Sequence, residues 1–457
     1  MNYSADNLAL WNIIIQLGLI AGVILLAQFL RQKLSFVRRS MMPVAVLAGF
    51  LLLALKYTGL VQIDNGMMEM LVYHGIALGF IAMSLRVPRE KAAGGDLTGL
   101  KSGAVIVSTY LVQGVTGLLI TILLGYTVMP GLFKAAGLLL PMGYGQGPGQ
   151  ANNIGSSYEA LGFAGGRSFG LSIAAAGYLV ACVVGVVILN ILTRRGKLVS
   201  RREGKDAEPT LDFFQDKNEI PVSDSIDKLS VQIAMVSLIY LVTYLVSKGI
   251  TGGLAAAAPG LAGTVNTLIW GFNFIIGSAL AIGVRVLLEK CKKAGLIQRQ
   301  YQNNYLLNRI SGFFFDIMIV AGIASIELEV IRGLWAPFLL LAILGGVVTW
   351  LHLRFVCRKV YPDYYYEGLI SMFGMLTGTI SSGVLLLREI DPDLSTPAAN
   401  NLITGSSFGI ILGAPVLILV GLAPKSDLMC LVTLALAAIY GALLVLLILK
   451  AHRRKKG

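Results

Sequence analysis

Apolar runs of about 20 residues recur from one end of the chain to the other, and each is long enough to cross a membrane as a helix. Of the 457 residues, 56% are hydrophobic and only 13% are charged. The mean hydropathy is +0.76. A soluble protein of this size needs more charge to cover its surface, and the strand alternation of a membrane barrel is absent from the sequence. The sequence therefore predicts an all-α polytopic membrane protein.

Hydropathy separates plain spans from interrupted ones. The predicted spans lie near residues 9–29, 41–61, 68–85, 102–129, 168–192, 229–249, 264–288, 308–326, 334–356, 400–423 and 428–450. Two further apolar stretches, near 134–163 and 364–389, contain glycine and polar residues that a plain span would not carry. Such interruptions indicate re-entrant hairpins rather than full crossings.

Lysine and arginine indicate the orientation, because they collect in cytoplasmic loops. When the N-terminus is placed outside and each interrupted stretch enters and leaves on one side, every basic loop and the tail HRRKKG are cytoplasmic. The opposite loops, such as VQIDNG and TGGLAAAAPGLAG, carry almost no basic residues. This distribution explains the net charge of +13 through contact with a lipid bilayer, without a nucleic-acid partner.

The same topology predicts two inverted five-span repeats, each with a re-entrant hairpin, plus one extra C-terminal span. Residues 1–192 form the first repeat, 193–228 a cytoplasmic linker, 229–423 the second repeat, and 424–457 the extra span with its basic tail. The second repeat is inverted because the first has an odd number of crossings. Two glycines and a glutamate recur at similar spacing in the two hairpins, as Gly143, Gly147 and Glu159 and as Gly374, Gly378 and Glu389.

Non-helical backbone at membrane depth is tolerated only where protein or a water-filled cavity surrounds it. Helix ends in such a place present N–H groups to anions and carbonyl groups to cations. No lysine or arginine lies clearly at mid-depth, so an acidic substrate would depend on main-chain N–H groups and neutral side chains. The predicted substrate-binding residues are Gly143, Gly145, Gln146, Gly147, Gly149, Gln150, Asn152, Asn153, Gly374, Thr377 and Gly378.

Neutral oxygens of Ser, Thr and Asn, together with main-chain carbonyls, suit a sodium ion. The predicted ion-binding residues are Thr379, Ser381, Ser382, Asn400, Asn401, Thr404, Ser406 and Asp316. Asp316 is the clearest carboxylate inside a span, and such groups are functional candidates; a solvated position near the cytoplasmic end, beside Arg309, is an equal alternative. The three histidines show no metal-ligand spacing, so we expect no cofactor besides Na⁺, no transition metal and no enzymatic activity.

The chain resembles the bacterial sodium/glutamate symporter family in three segments. These are LSFVRRSMMPVAVLAGFLLLAL, HGIALGFIAMSLR and GYGQGPGQANNIGSSYEALGF, and the repeat plan extends the resemblance over most of the chain. The resemblance implies a Na⁺-coupled glutamate importer in the bacterial inner membrane. It also implies a homodimer in which a transport unit moves against a fixed scaffold.

The hairpins depart from the GGxGxG-like motif that the resemblance implies. Met142 precedes Gly143 in the first, and GMLTGTISSG in the second keeps Gly374 and Gly378 but loses the dense glycine pattern. These departures lie in the predicted substrate-binding loops and leave the architecture unchanged. The alternatives to sodium/glutamate symport are therefore a carrier of another organic anion and a proton-coupled carrier. An ion channel is a further alternative, since GYG also occurs in potassium filters.

Overall fold

The computed structural model describes residues 3–4, 6–35, 37, 42–87, 98–195, 228–257, 266, 269–270, 273–297, 299–329, 331–391 and 396–453. This part of the chain is all-helical and contains no strand. Most of the predicted linker at 193–228 lies outside the described residues.

Fourteen α-helices are labelled here in chain order. They are α1 (Leu8–Lys33), α2 (Val44–Tyr57), α3 (Asn65–Leu85), α4 (Thr98–Tyr126), α5 (Pro148–Glu159), α6 (Gly166–Arg194, with a π-helical turn at Val180–Val184), α7 (Lys228–Ala257), α8 (Asn273–Lys293), α9 (Asn304–Ala324), α10 (Trp335–Val360), α11 (Tyr365–Thr377), α12 (Ile380–Arg388), α13 (Ala398–Leu422) and α14 (Asp427–Arg453). Before α5 lie a short 3₁₀ helix (Lys134–Leu138) and a π-helical turn (Pro141–Gly145).

Nine helices in the described part of the chain are long and apolar enough to cross a membrane. They confirm the prediction of a polytopic helical membrane protein. The predicted spans near 41–61 and 264–288 are not among the nine. Helix α2, which begins after Pro43, has only 14 residues, and α8 ends in a turn that carries three lysines. The start of the second of these predicted spans lies largely outside the described residues.

The chain divides into two compact units. Unit 1 comprises Met1–Met70, Asp96–Arg202 and Ile319–Gly457, and unit 2 comprises Leu71–Gly95 and Glu203–Met318. Each unit therefore contains segments from both halves of the sequence. Unit 2 has its own apolar core, formed by Ile81, Ala82, Leu85, Val236, Ile239, Ala281, Leu307 and Ile310.

Helix α4 is the centre of unit 1, where it packs against α10, α13 and α14. Glycines make this packing close. A methyl group added at Gly103 would lie 2.6 Å from Cβ of Phe408, and one at Gly117 would overlap the carbonyl group of Gly137. Small residues at helix contacts are the usual way in which membrane helices approach one another.

Both interrupted stretches fold as two helical segments joined at a break, and we name them hairpin 1 (residues 133–163) and hairpin 2 (residues 364–389). In hairpin 1, the ring of Phe133 stacks on that of Phe163 with centroids 5.1 Å apart, so the stretch begins and ends at one place. In hairpin 2, α11 and α12 pack together where a methyl group on Gly374 would lie 2.8 Å from Cα of Gly383. We call the place where each hairpin begins and ends its base, and the break its tip.

Hairpin 1 packs along the first half of α6. At its base, a methyl group on Gly166 would lie 2.8 Å from the ring of Phe163. Further along α6, a methyl group on Gly143 would lie 2.8 Å from the main-chain nitrogen of Ala174. The chain of hairpin 1 therefore runs from the start of α6 towards its middle.

Hairpin 2 packs along the second half of α6. Near its tip, a methyl group on Gly177 would overlap the carbonyl oxygen of Thr377. Near its base, Leu189 belongs to the same apolar cluster as Ile390. The two hairpins therefore lie along α6 from its opposite ends, and their tips meet near its midpoint. Gly177 is 11 residues after Gly166 and 12 residues before Leu189, so at 1.5 Å per residue it is about 17 Å from either base.

Candidate functional site

Hairpin 1 turns at Gly147. Its φ of +86° and ψ of −175° lie in a region that only glycine adopts without strain. Pro148, whose fixed φ suits the first position of a helix, then starts α5. A methyl group on Gly147 would lie 3.7 Å from Cγ2 of Thr379 and 3.9 Å from the carbonyl oxygen of Gly378. The break in hairpin 1 therefore touches the break in hairpin 2.

Hairpin 2 turns at Gly378 and Thr379. The N–H of Gly378 donates to the carbonyl oxygen of Gly374 at 3.1 Å and completes the last turn of α11. Thr379 is extended, with φ −143° and ψ 173°, and α12 begins at Ile380. Since α5 also begins beside this point, two helix N-termini meet at the tips. The first N–H groups of a helix have no partner within the helix, and they carry the positive end of its dipole.

Uncharged polar side chains surround this point, and several of their atoms are buried without a hydrogen-bond partner. Both amide atoms of Gln150 are in this state, as are Oδ1 of Asn152, Oγ1 of Thr379 and Oγ of Ser382. A buried polar group left in this state costs about 1–3 kcal/mol. A ligand that supplies the missing partners would recover this free energy.

We call the residues at this point the tip cluster: Gln113, Gly145, Gln146, Gly147, Gln150, Asn152, Tyr178, Thr377, Gly378, Thr379 and Ser382. All of them belong to unit 1, and none is charged. Its electrostatic field therefore comes from helix ends and amide dipoles rather than from ionised side chains. Such a site recognises an anion through N–H groups and a cation through oxygen atoms.

Most of the predicted substrate-binding residues lie at or beside the tips. Gly143, Gly145, Gln146, Gly147 and Gly149 form the turn of hairpin 1 and the start of α5, which continues through Gln150, Asn152 and Asn153. Gly374, Thr377 and Gly378 end α11.

The predicted ion-binding residues are more dispersed. Thr379 and Ser382 lie at the tip of hairpin 2, and the side chain of Ser381 lies outside the described residues. Asn401 donates to the hydroxyl of Tyr364 at 2.7 Å, which places it at the base of hairpin 2 rather than at the tip. Asn400 and Thr404 are neighbours of Asn401 on α13, and Ser406 lies further along it with Oγ 3.9 Å from the sulfur of Met375. Asp316 belongs to unit 2.

Gln113 is a member of the tip cluster that sequence analysis missed. It lies in α4 and is completely buried. Its Nε2 donates to Oγ1 of Thr349 at 2.8 Å and to the carbonyl oxygen of Leu376 at 2.9 Å. Its Oε1 has no partner. The available signal was a glutamine in the middle of the apolar run STYLVQGVTGLL.

Charged side chains gather at the base of hairpin 1 instead. Arg167 pairs with Glu69 at 2.5 Å and with Glu327 at 3.4 Å. The main-chain N–H of Arg167 donates to Glu159 at 3.1 Å, and Ser156 donates to Glu69 at 3.0 Å. This network fixes the second helix of hairpin 1 to the starts of α3 and α6.

No family model matches the chain, and no curated protein matches it.

Proposed function

We propose that the protein is a secondary active transporter that couples Na⁺ to the movement of a small carboxylate, most simply glutamate. The observation that carries this proposal is the meeting of two broken helices at the middle of α6, with two helix N-termini and several unpartnered polar atoms. A water-soluble anion can bind there without any basic side chain.

The membrane arrangement follows from α6. Its C-terminal end is followed by a basic segment that includes Arg195, which favours the cytoplasmic side, and its start then lies outside. Hairpin 1 would be re-entrant from outside and hairpin 2 from the cytoplasm. The distance of about 17 Å from each base to the tips is close to half of a hydrocarbon core of roughly 30 Å. The substrate would therefore bind near the bilayer midplane.

The chemistry of the site favours a carboxylate accompanied by a cation. The N–H groups at the starts of α5 and α12 suit the carboxylate oxygens, while oxygens at the C-terminal end of α11 and on Thr379 and Ser382 suit Na⁺. Each ligand would fix a hairpin that the other also contacts, so each would lower the cost of binding the other. This reciprocity is the physical basis of symport.

Alternating access would then be elevator-like, with the hairpin-bearing part of unit 1 carrying its cargo between the two sides. The resemblance to the sodium/glutamate symporter family supports a homodimer in the bacterial inner membrane. The distribution of lysine and arginine supports an N-terminus outside and a C-terminus in the cytoplasm. Asp316 and the polar residues at the start of α13 are secondary candidates for ion binding.

The proposal is tested with purified protein in liposomes. Uptake of labelled glutamate, aspartate and dicarboxylates is measured with and without an inward Na⁺ gradient, and we expect Na⁺-driven accumulation of at least one of them. Counterflow at zero gradient should exchange labelled substrate, as a carrier does. Uptake that does not depend on Na⁺ but follows a proton gradient would show that H⁺, rather than Na⁺, is the coupling ion. Conductance without counterflow would indicate a channel.

A further inference from the structure

The amide of Gln113 has a fixed orientation. The carbonyl oxygen of Leu376 can only accept a hydrogen bond, and Oγ1 of Thr349 uses its own hydrogen to donate to Gly345 at 2.6 Å. Both neighbours therefore require the NH₂ group of Gln113, which donates to them. The carbonyl oxygen Oε1 must point the other way.

Oε1 of Gln113 faces the tip of hairpin 1. A methyl group on Gly145 would lie only 3.0 Å from this oxygen. Gln113 has no exposed surface, and Oε1 has no hydrogen-bond partner in the described part of the chain. An amide oxygen is an acceptor only, so what it lacks is a donor or a cation.

The surroundings of Oε1 favour a cation. Oε1 is itself an acceptor, and no member of the tip cluster carries a positively charged side chain that could serve as its donor. Leu376 lies in the last turn of α11, and its carbonyl oxygen accepts from Nε2 on the side away from Oε1, so this bond holds Oε1 towards hairpin 1. The positive N-termini of α5 and α12 favour the anionic cargo instead. Carbonyl and amide oxygens are the ligands that hard cations prefer.

We propose that Oε1 of Gln113 is a ligand of the coupling Na⁺, bound beside Gly145 at the tip of hairpin 1. This inference rests on the proposed Na⁺-coupled transport and adds a residue to its ion site. Gln113 contacts both hairpins, through Leu376 in one and Gly145 in the other. A cation on Oε1 would therefore bind best when both tips are in place, which is what coupling requires.

The experiment measures Na⁺ binding directly, without substrate. Binding of ²²Na⁺ to purified protein, and the rise in melting temperature as NaCl replaces choline chloride, are compared for wild type, Gln113→Leu and Ser108→Ala. Ser108 is the matched control because it joins the same two helices through a 2.9 Å hydrogen bond to Nε2 of His352. We expect Gln113→Leu to raise the half-saturating Na⁺ concentration about tenfold or more, and Ser108→Ala to leave it unchanged.

If Gln113→Leu does not fold, Gln113→Asn keeps the amide but withdraws its oxygen by one methylene, and it should also weaken Na⁺ binding. Unchanged Na⁺ binding in a folded Gln113 variant, or an equal loss in Ser108→Ala, overturns the assignment. Absence of Na⁺-specific binding in wild type also overturns it. If wild type binds Na⁺ through Gln113 but transports no carboxylate, the proposed function fails and this inference stands.

Discussion

The substitution Gly147→Ala tests the turn of hairpin 1 at the place where it touches hairpin 2. The added methyl group itself is tolerated, because its nearest neighbour would lie at 3.7 Å. The backbone is the difficulty. Alanine at φ +86° and ψ −175° costs on the order of 1–3 kcal/mol, and Pro148 restricts the preceding residue further to extended conformations with negative φ.

The strain at residue 147 has two possible outcomes, and both impair the site. If alanine keeps the native angles, the tip is destabilised by about 1–3 kcal/mol, which corresponds to roughly a 5- to 150-fold change in an equilibrium that requires it. If alanine moves to negative φ, the start of α5 turns away and its N–H groups no longer face the cargo. We therefore expect loss of Na⁺-driven glutamate uptake in proteoliposomes through a higher KM.

Gly162→Ala is the matched control. Gly162 has φ +100° and open space around the position of a methyl group, but it lies at the base of hairpin 1 rather than at the tip. Both variants should lose comparable thermal stability, measured by tryptophan fluorescence, and only Gly147→Ala should lose affinity for substrate. Wild-type uptake by Gly147→Ala, or an equal loss of affinity in Gly162→Ala, would refute the assignment of the tips as the binding site.

Three further predictions concern other parts of unit 1. Gly145→Ala places a methyl group on the ring of Tyr110, which is packed against the core, so we expect overpacking of about 1–3 kcal/mol and loss of uptake. Gly131→Ala, with open space around it, should behave as wild type. Arg167→Met leaves its two partly exposed partners, Glu69 and Glu327, without their cation. The free energy of unfolding should therefore fall by roughly 1–2 kcal/mol at low salt and by less at high salt. A loss of stability that does not depend on salt would contradict the ionic explanation. Asp64→Ala should cost about 0.5–1 kcal/mol at pH 7 because its carboxylate accepts from main-chain N–H groups at the start of α3. Those bonds and one from Asn12 lower the pKa of Asp64. The difference in free energy of unfolding between Asp64→Ala and wild type should therefore persist at mildly acidic pH and vanish only as the pH falls below the ordinary pKa of an aspartate. A difference that disappears well above that pKa would refute the capping role.

The sequence was sufficient to predict the nine helices that are long and apolar enough to cross a membrane, because burial in lipid imposes a length and a composition on each of them. It also located both interruptions, since glycine and polar residues at 143–157 and 374–382 cannot continue a lipid-facing helix. Neither α2 nor α8 is among the nine helices that are long and apolar enough to cross a membrane. For the span predicted near 41–61, the hydropathy of the sequence includes flanking residues such as Met42, which precedes the start of α2 at Val44.

The composition of the tip cluster was only partly predictable. Local pattern identified Gln150 and Thr379, because they interrupt apolar segments. Gln113 was missed because a single glutamine inside a span has no local partner, and its role depends on contacts with Thr349 and Leu376, more than 230 residues away. Asn401 was also singled out for its polarity, and its side chain donates to Tyr364 at the base of hairpin 2. Side-chain type indicates polarity, but only tertiary packing decides which partner satisfies it.

Cysteine labelling tests whether the two hairpins enter the membrane from opposite faces, as we propose. In a variant without Cys182, Cys291, Cys357 and Cys430, single cysteines are placed at the exposed residues Ala160, at the base of hairpin 1, and Asp363, at the base of hairpin 2. A membrane-impermeant maleimide is then applied to right-side-out and inside-out vesicles. We predict that Ala160→Cys reacts only in right-side-out vesicles and Asp363→Cys only in inside-out vesicles. Labelling of both positions from the same side would show that the hairpins do not enter from opposite faces.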